Sequence, residues 1–424
     1  MAQPQSESAP AMGEPLPFVP AQADLVEITS EEFRESFGED LRRTLDVETW
    51  RPGDLGEEYG RIDREVREAV ALEGEFQRRI RSEVFPMLGN SSRAPKGAGV
   101  YGPIEAATIK EVHGGLLFNG GVEACDGTHQ MHDTLPLTIH QIGVSLVSYR
   151  GDQGTWCQRL FRRDLRVRGG DPVHELSELL GRRDRRGGLN QPSRRDSMSE
   201  MARRAIMAYA ERAILLDKSA ATWRLGHGNP APWELMTGAG NLDLMIEAVK
   251  VLRRMIEGHQ RFVYVASEPS ERLLLTIGQA LRPTEYAIVK SLDEGLESMV
   301  EGGHYRMKVS VDTSWDGEDL TPMQWIRRFR ERVAPRVVVG LYRATRMAPA
   351  QVFYAHEDHA HLAAHIAIAD SVLQEQRGFP LLIDMADNVC SSVFGGGTLN
   401  GLLATAYADA GAPWRYLSER ATRG

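Results

Sequence analysis

The feature that most restricts the fold of this chain is the order in which its apolar patterns change. Three β-type stretches stand close together: LLFNGGVEACDG, LTIHQIGVSLVSYRG and TWCQRLFRRDLRVRGG. Each is rich in apolar or β-branched residues, and Gly or Asp-Gly punctuates their ends. They form a run of neighbouring strands and not the opening of a βαβ unit. A helix follows over SMSEMARRAIMAYAERAILL, opened by a capping box from Ser197 to Glu200. Strand and helix then alternate. WELMTG, RFVYVAS and YAIVKS are expected strands, each followed by a helix: NLDLMIEAVKVLRRMIEG, SERLLLTIGQAL and LDEGLESMVEG. YRMKVSVD, PRVVVGLYRA and APAQVFYA are expected strands too, and the stretch from DMADNVCSSV to TLNGLLATAYADAG is expected to be mostly helical. Grouped strands followed by alternation predict an α/β chain with a mixed β-sheet flanked by helices.

At 424 residues the chain has room for two or three domains, and its core needs neither disulfides nor a structural metal. Residues 1–25, rich in Pro, Ala, Ser and Gln, read as a flexible tail. Residues 26–90 read as a charged helical extension, in which Thr29 and Glu32 have capping-box spacing. Residues 57–86 suit a long surface helix, packed on the main domain or reaching a partner. Residues 91–424 form the main domain. It carries an exposed basic loop at 181–196, GRRDRRGGLNQPSRRD, with Arg182, Arg183, Arg185, Arg186, Arg194 and Arg195.

Charge gives a misleading first impression. The formal net charge is −9, which argues against a protein that coats nucleic acid by charge alone. Residues 1–60, however, hold 14 acidic side chains against 4 basic ones, so the rest of the chain is close to neutral. Its arginines concentrate between 150 and 204. Three scattered cysteines, Cys125, Cys157 and Cys390, exclude a disulfide framework and a CxxC zinc site. A reducing, cytoplasmic setting is expected. No apolar run reaches the ~18 residues of a membrane span, and the N-terminus lacks the pattern of a signal peptide.

The sequence lacks GxGxxG after a strand, GxxxxGK[ST], GxSxG and HExxH. GGGTLNG at 395–401 follows a helix and reads as a turn between helices. His356, His359, His361 and His365 cluster in YAHEDHAHLAAHIAIAD. They offer a metal site only under particular secondary structures. The alternation in HIAIAD suits a strand, and an exposed polar turn explains the histidines as well. Asp126 closes an apolar strand, a placement suited to a ligand for a hard divalent cation. Asp-Gly is also a common hairpin signal, and taken alone the pair reads as such a turn. Two-metal nucleases need several carboxylates from different elements. Glu200, which also fits a capping role, and Glu211 lie on one helix. Glu234 interrupts the strand WELMTG.

These residues resemble the motifs of the NurA-type nucleases over about residues 115–420. The first family motif, an apolar strand ending in Asp-Gly-Ser, is similar to VEACDGTHQMHDTLPLTIHQIGVSLVSYRG, with Thr128 in place of Ser. The acidic helix resembles RRDSMSEMARRA, which favours Glu200 over Glu211. The second strand, ending in Asp-Gly in the family, is matched to WELMTGAGNLDLM, where Thr237 holds the Asp position and Glu234 could substitute. The terminal motif is matched to GFPLLIDMADNVCSSV, with Asp387 where His is common.

The resemblance implies a ribonuclease-H-like fold and a Mn2+- or Mg2+-dependent DNA nuclease. Asp126, Glu200 and Glu234 would hold metal, and Asp387 would be a fourth ligand or orient the water. The basic loop would track phosphates. Trp156 or Trp233 could stack an unpaired base, although a core residue is the stronger reading of each. The implied partners are DNA, a hexameric HerA-type ATPase and a second copy of the chain, in DNA end processing or phage defence. The Thr237 and Asp387 departures leave open a weakened adaptor that binds the ATPase and DNA without cleaving. An unrelated α/β enzyme acting on small phosphates is a third reading.

Overall fold

The computed structural model describes residues 29–50, 55–133, 138–151, 153–163, 201–267, 271–302 and 309–413, with the isolated positions 173 and 177. The basic loop 181–196 with its six arginines, and Glu200 with its capping box, lie outside the described residues. The chain divides into two units, residues 1–72 and 73–424.

The first unit contains α1 (Ser30–Phe37) and α2 (Leu41–Leu45), and the long α3 (Leu55–Arg79) begins in it. Thr29 caps α1, and Glu32 returns a bond to the Thr29 amide at 2.8 Å, as the spacing predicts.

The second unit is built on one sheet. Its strands are β1 (Gly99–Tyr101), β2 (Val122–Asp133), β3 (Thr138–Val147), β4 (Gln153–Arg163), β5 (Trp223–His227), β6 (Phe262–Ala266), β7 (Glu285–Ser291), β10 (Val337–Arg343) and β11 (Gln351–His356). A separate pair, β8 (Ser314–Trp315) and β9 (Glu318–Asp319), forms a small hairpin. The nine strands lie in the order β1-β7-β10-β11-β6-β5-β2-β3-β4. β2 is parallel to β5 and β5 to β6, and the other pairs are antiparallel. β5, β6 and β10 are buried almost throughout, as expected of strands covered on both faces.

Helices cover both faces. One layer is α5 (Met207–Lys218), α6 (Trp233–Met236), α7 (Leu242–Arg253), α8 (Arg272–Ala280), α9 (Leu292–Gly302) and α10 (Pro322–Arg328). They close a core that includes Leu215, Met245, Phe262, Tyr264, Trp325 and Leu341. On the other face lie α4 (Ala106–Val112), α11 (Ala360–Ser371) and α12 (Leu381–Phe394), over Val122, Leu225, Phe353 and Ile383. α13 (Gly396–Asp409) follows α12 after a break at Gly395. None of the described helices is long and apolar enough to cross a membrane.

Three expectations fail here. WELMTG is not a strand: residues 233–236 form the short helix α6 behind Pro232, and the Thr237 hydroxyl donates back to the Trp233 carbonyl at 2.8 Å. The strand of that region is β5, ten residues earlier. HIAIAD is not a strand but the core of α11, whose small Ala residues let it be buried nearly all round. Of YRMKVSVD, residues 309–312 are not strand and 305–308 lie outside the described residues.

One buried carboxyl joins three pieces of the second unit. Asp370 of α11 accepts from the Tyr149 hydroxyl, just past β3, at 2.5 Å, and from the Leu382 amide of α12 at 2.9 Å. Burial pushes its carboxyl up to about 6, against the pull of those two bonds. The folded-state value lies above the unfolded one, so its contribution to stability is present below about pH 4 and lost as pH rises through 6. Asp370→Asn should therefore flatten the pH dependence of stability in that window, by ~2–3 kcal/mol relative to the parent at pH 7. Chemical denaturation at pH 4, 6 and 7 measures this; a parallel offset at all three values would refute the role of Asp370 ionisation.

Candidate active site

Asp126 and Gly127 do not form a turn. They lie within β2, which continues to Asp133 against β3. What ends near them is β5: its pairing with β2 stops at Cys125 opposite Gly226. Asp126 is therefore the first β2 residue beyond its parallel neighbour. It is only 7% exposed, so the expected solvent-facing carboxylate is largely buried.

Successive strand residues face opposite sides of a sheet. Cys125 and Gly127 face α5, and the Cys125 thiol donates to the Glu211 carbonyl at 3.4 Å. A Cβ at Gly127 would lie 2.5 Å from Glu211 Oε1 and 3.1 Å from its Cγ. The carboxyl of Glu211 thus rests on bare backbone, and the glycine is what lets the helix deliver it there. Glu211 Oε2 accepts from Arg212 Nη1 at 3.1 Å.

Asp126 faces the α11–α12 side. His227, the last residue of β5, donates from Nδ1 to Asp126 Oδ1 at 3.3 Å. Its ring meets Phe379 edge-on at 5.6 Å. Asp387 of α12 contributes negative charge at His227 and accepts from Ser391 Oγ at 3.1 Å. α12 comes this close because the Phe394 ring fills the space where a Gly143 side chain on β3 would be. Cys125 and Cys390, both free and buried, lie beside the two acids, and burial pushes the Cys390 thiol up to about 11.

Burial pushes the Glu211 carboxyl up to about 7; Arg212 works against this, and the charge of Asp126 adds to it. His227 moves upward as well, first through its bond to Asp126, with desolvation opposing. A raised acid and a raised base around one carboxylate describe a site short of positive charge. That donor chemistry, two or three carboxylates and one imidazole, fits a hard divalent cation. The geometry as it stands pairs Asp126 with His227. Among the described residues no three His, Cys, Asp or Glu side chains converge on one point suited to an ion.

Of the residues singled out in the sequence, Asp126 meets His227 directly, whereas Asp387 is exposed on α12 and acts on His227 only through its charge. Glu234 lies on α6, where its carboxylate meets Arg204 at 3.7 Å. Glu211, set aside in favour of Glu200, lies at Asp126. His227 escaped sequence reasoning although a signal existed: TWRLGHG is a strand ending in a polar residue before Gly228, whose φ is +76°. Trp233 is 47% exposed, and Trp156 is half-buried against the core. Within YAHEDHAHLAAH a turn does form at 357–359 and leaves Asp358 exposed, but His356 before it is fully buried, and His361, on α11, shares a bond of 2.8 Å between its Nδ1 and the Tyr286 hydroxyl.

No protein-family model and no curated protein matches the chain. Among solved structures it is similar to the NurA nuclease from Sulfolobus solfataricus, with 10% identity, 68% of this chain and 84% of that chain covered, and a TM-score of 0.39. It is also similar to NurA with manganese, at 8% identity, 63% and 85% coverage, and a TM-score of 0.35. Likeness at this level assigns no residue a role.

Gly127→Ala tests the geometry directly. The nearest obstructing atom, Glu211 Oε1, ends a flexible side chain, and the Cγ atoms of Glu211 and Met207 at 3.1 Å need give only slightly, so the fold should survive with a stability loss of about 1 kcal/mol. Glu211 must then leave the strand. The crystal structure of the variant should show its carboxyl displaced from residue 127, and an unmoved carboxyl would refute the packing described.

Proposed function

We propose that this chain is a metal-dependent deoxyribonuclease of the NurA type, hydrolysing phosphodiesters with Mn2+ or Mg2+ on a ribonuclease-H-like core. The observation that carries the reading is the pairing of His227 with Asp126, with the Glu211 carboxyl seated on the next residue of β2, at the point where β5 ends. The strand order supports it. Read from β4 through β3 and β2 to β5 and β6, an antiparallel three-stranded meander continues into two parallel strands.

The motif resemblance supports it once the second strand is taken as β5. The residue before glycine at that strand end is then His227 and not Thr237. The family places Asp on that strand and often His in the terminal motif. Here His227 and Asp387 hold the two positions the other way round, and the donor set keeps its composition. Glu211 replaces Glu200 as the helix acid of the proposal.

The bound cation would supply Lewis acidity and lower the pKa of a water. Asp126 and Glu211 supply anionic oxygens on either side of β2. His227 holds a proton at Nδ1 against Asp126, and the charge of Asp387 favours that proton's retention. The arginines of 181–196 would contact phosphates. A HerA-type ATPase and a second copy of the chain are the proposed partners, in DNA end processing or defence. The non-cleaving adaptor remains a second reading, favoured by one observation: Asp126 is engaged by His227 instead of open to an ion.

Purified protein with Mn2+ on single- and double-stranded DNA decides between them. Asp126→Ala and Glu211→Gln should each reduce cleavage by ~100-fold or more while circular dichroism stays unchanged. Cleavage that persists in Asp126→Ala would refute the assignment, and an adaptor would show no carboxylate-dependent Mn2+ binding in calorimetry.

The same titration has a pH signature. A proton on Glu211 competes with the cation, and the carboxyl titrates near 7. Mn2+ affinity of the wild-type protein should therefore fall as pH drops from 8 to 6. An affinity that is flat across that range would exclude Glu211 as a ligand.

A further inference from the structure

We propose that Arg212 is the positioning residue that locks Glu211 and the His227 loop into one geometry. The proposal rests on reading Asp126, Glu211 and His227 as the catalytic centre. Arg212 is 4% exposed, and a buried guanidinium must have its donors satisfied. Nε donates to the Pro230 carbonyl at 2.8 Å and Nη2 to the Asn229 carbonyl at 2.5 Å. Nη1 donates to the Ala208 carbonyl at 2.9 Å and to Glu211 Oε2 at 3.1 Å. The Tyr264 ring of β6 lies under the guanidinium at 5.5 Å.

These acceptors fall into two groups that nothing in the sequence order brings together. Ala208 and Glu211 belong to α5. Asn229 and Pro230 belong to the loop that begins directly after His227. One planar fork therefore sets the distance between the helix acid and the strand-end imidazole. Lysine carries the same charge but has no fixed fork, so it cannot hold all four acceptors. Arg212 acts through Glu211 and the loop, and not on the substrate.

Arg224 supplies a control on the same strand system. It too is buried, and it donates to the Ala221 and Ser219 carbonyls at 2.8 and 3.0 Å, at the start of β5 and not at its end. Loss of a buried arginine should destabilise both variants. Only Arg212 should alter the site.

Compare Arg212→Lys with Arg224→Lys in the full chain. Without metal, amide hydrogen exchange over residues 226–231 should quicken in Arg212→Lys and stay unchanged in Arg224→Lys. With metal, Arg212→Lys should lose about 10–100-fold in Mn2+ affinity and kcat, with KM for DNA unchanged. Arg224→Lys should lower Tm alone. Should Arg212→Lys not fold, Arg212→Gln is read by the same measurements. Unaltered exchange in the 226–231 loop, or equal losses in both variants, would overturn the proposal. The nuclease reading fails differently: there the wild-type protein neither binds Mn2+ nor cleaves DNA, while the metal-free exchange still reports on the clamp.

Discussion

The candidate site depends on one close approach, the seating of the Glu211 carboxyl on the backbone of Gly127. An α-helix ordinarily packs on a sheet through two layers of side chains, which keeps its carboxylates away from the strand. Removing one Cβ from β2 lets the side chain reach the peptide plane. The consequence extends along the helix. With Glu211 fixed there, the Cys125 thiol meets its carbonyl and Arg212 is buried with its fork aimed at the β5 loop. The missing side chain makes room for the carboxyl, and Arg212 holds it there.

The sheet supplies the second half of the arrangement. Glu211 lies on one face, and Asp126, His227 and Asp387 on the other. Two faces of a continuous sheet are separated by the strands themselves. They communicate only where a strand has stopped, and β5 stops at His227 while β2 runs on for seven residues beyond Asp126. The opposite face repeats the device of the first: Gly143 gives its space to Phe394, and α12 is drawn in with Asp387. Two glycines on adjacent strands thus admit two helices from opposite sides. Burial raises the Glu211 carboxyl, with the charge of Asp126 adding to it, and the bond to Asp126 raises His227.

Much of this architecture is legible in the sequence, and the failures have physical causes. β2, β3, β6, β7, β10 and β11 announce themselves, wholly or in part, through apolar or β-branched runs, and α7, α8 and α12 through helical spacing. β5 does not, because Arg224 and Gly226 interrupt it. The arginine is buried by carbonyls of the preceding loop, and the glycine is required by the Tyr264 ring, a neighbour distant in sequence. WELMTG has the composition of a strand but sits behind Pro232, and local capping prevailed. The C-terminal part of α11 alternates like a strand yet is buried nearly all round, so its periodicity carries no information about its type. Of the candidate site, Asp126 was legible through motif position. Glu211 was visible as a candidate, but only the missing Cβ of Gly127 distinguishes it from a surface acid.

The exchange between positions 227 and 387 has a consequence of its own on the proposed reading. A carboxylate at a strand end is a ligand at any ordinary pH, whereas an imidazole there can be protonated and hold its neighbour instead. In this chain His227 does hold Asp126, and the charges of Asp126, Glu211 and Asp387 all favour the protonated ring. On that reading Asp126 and Glu211 would hold a bound cation, whose charge would offset theirs, and His227 would then have less reason to keep its proton against Asp126. The swap would therefore make the ionisation of His227 and Glu211 part of what any cation must displace.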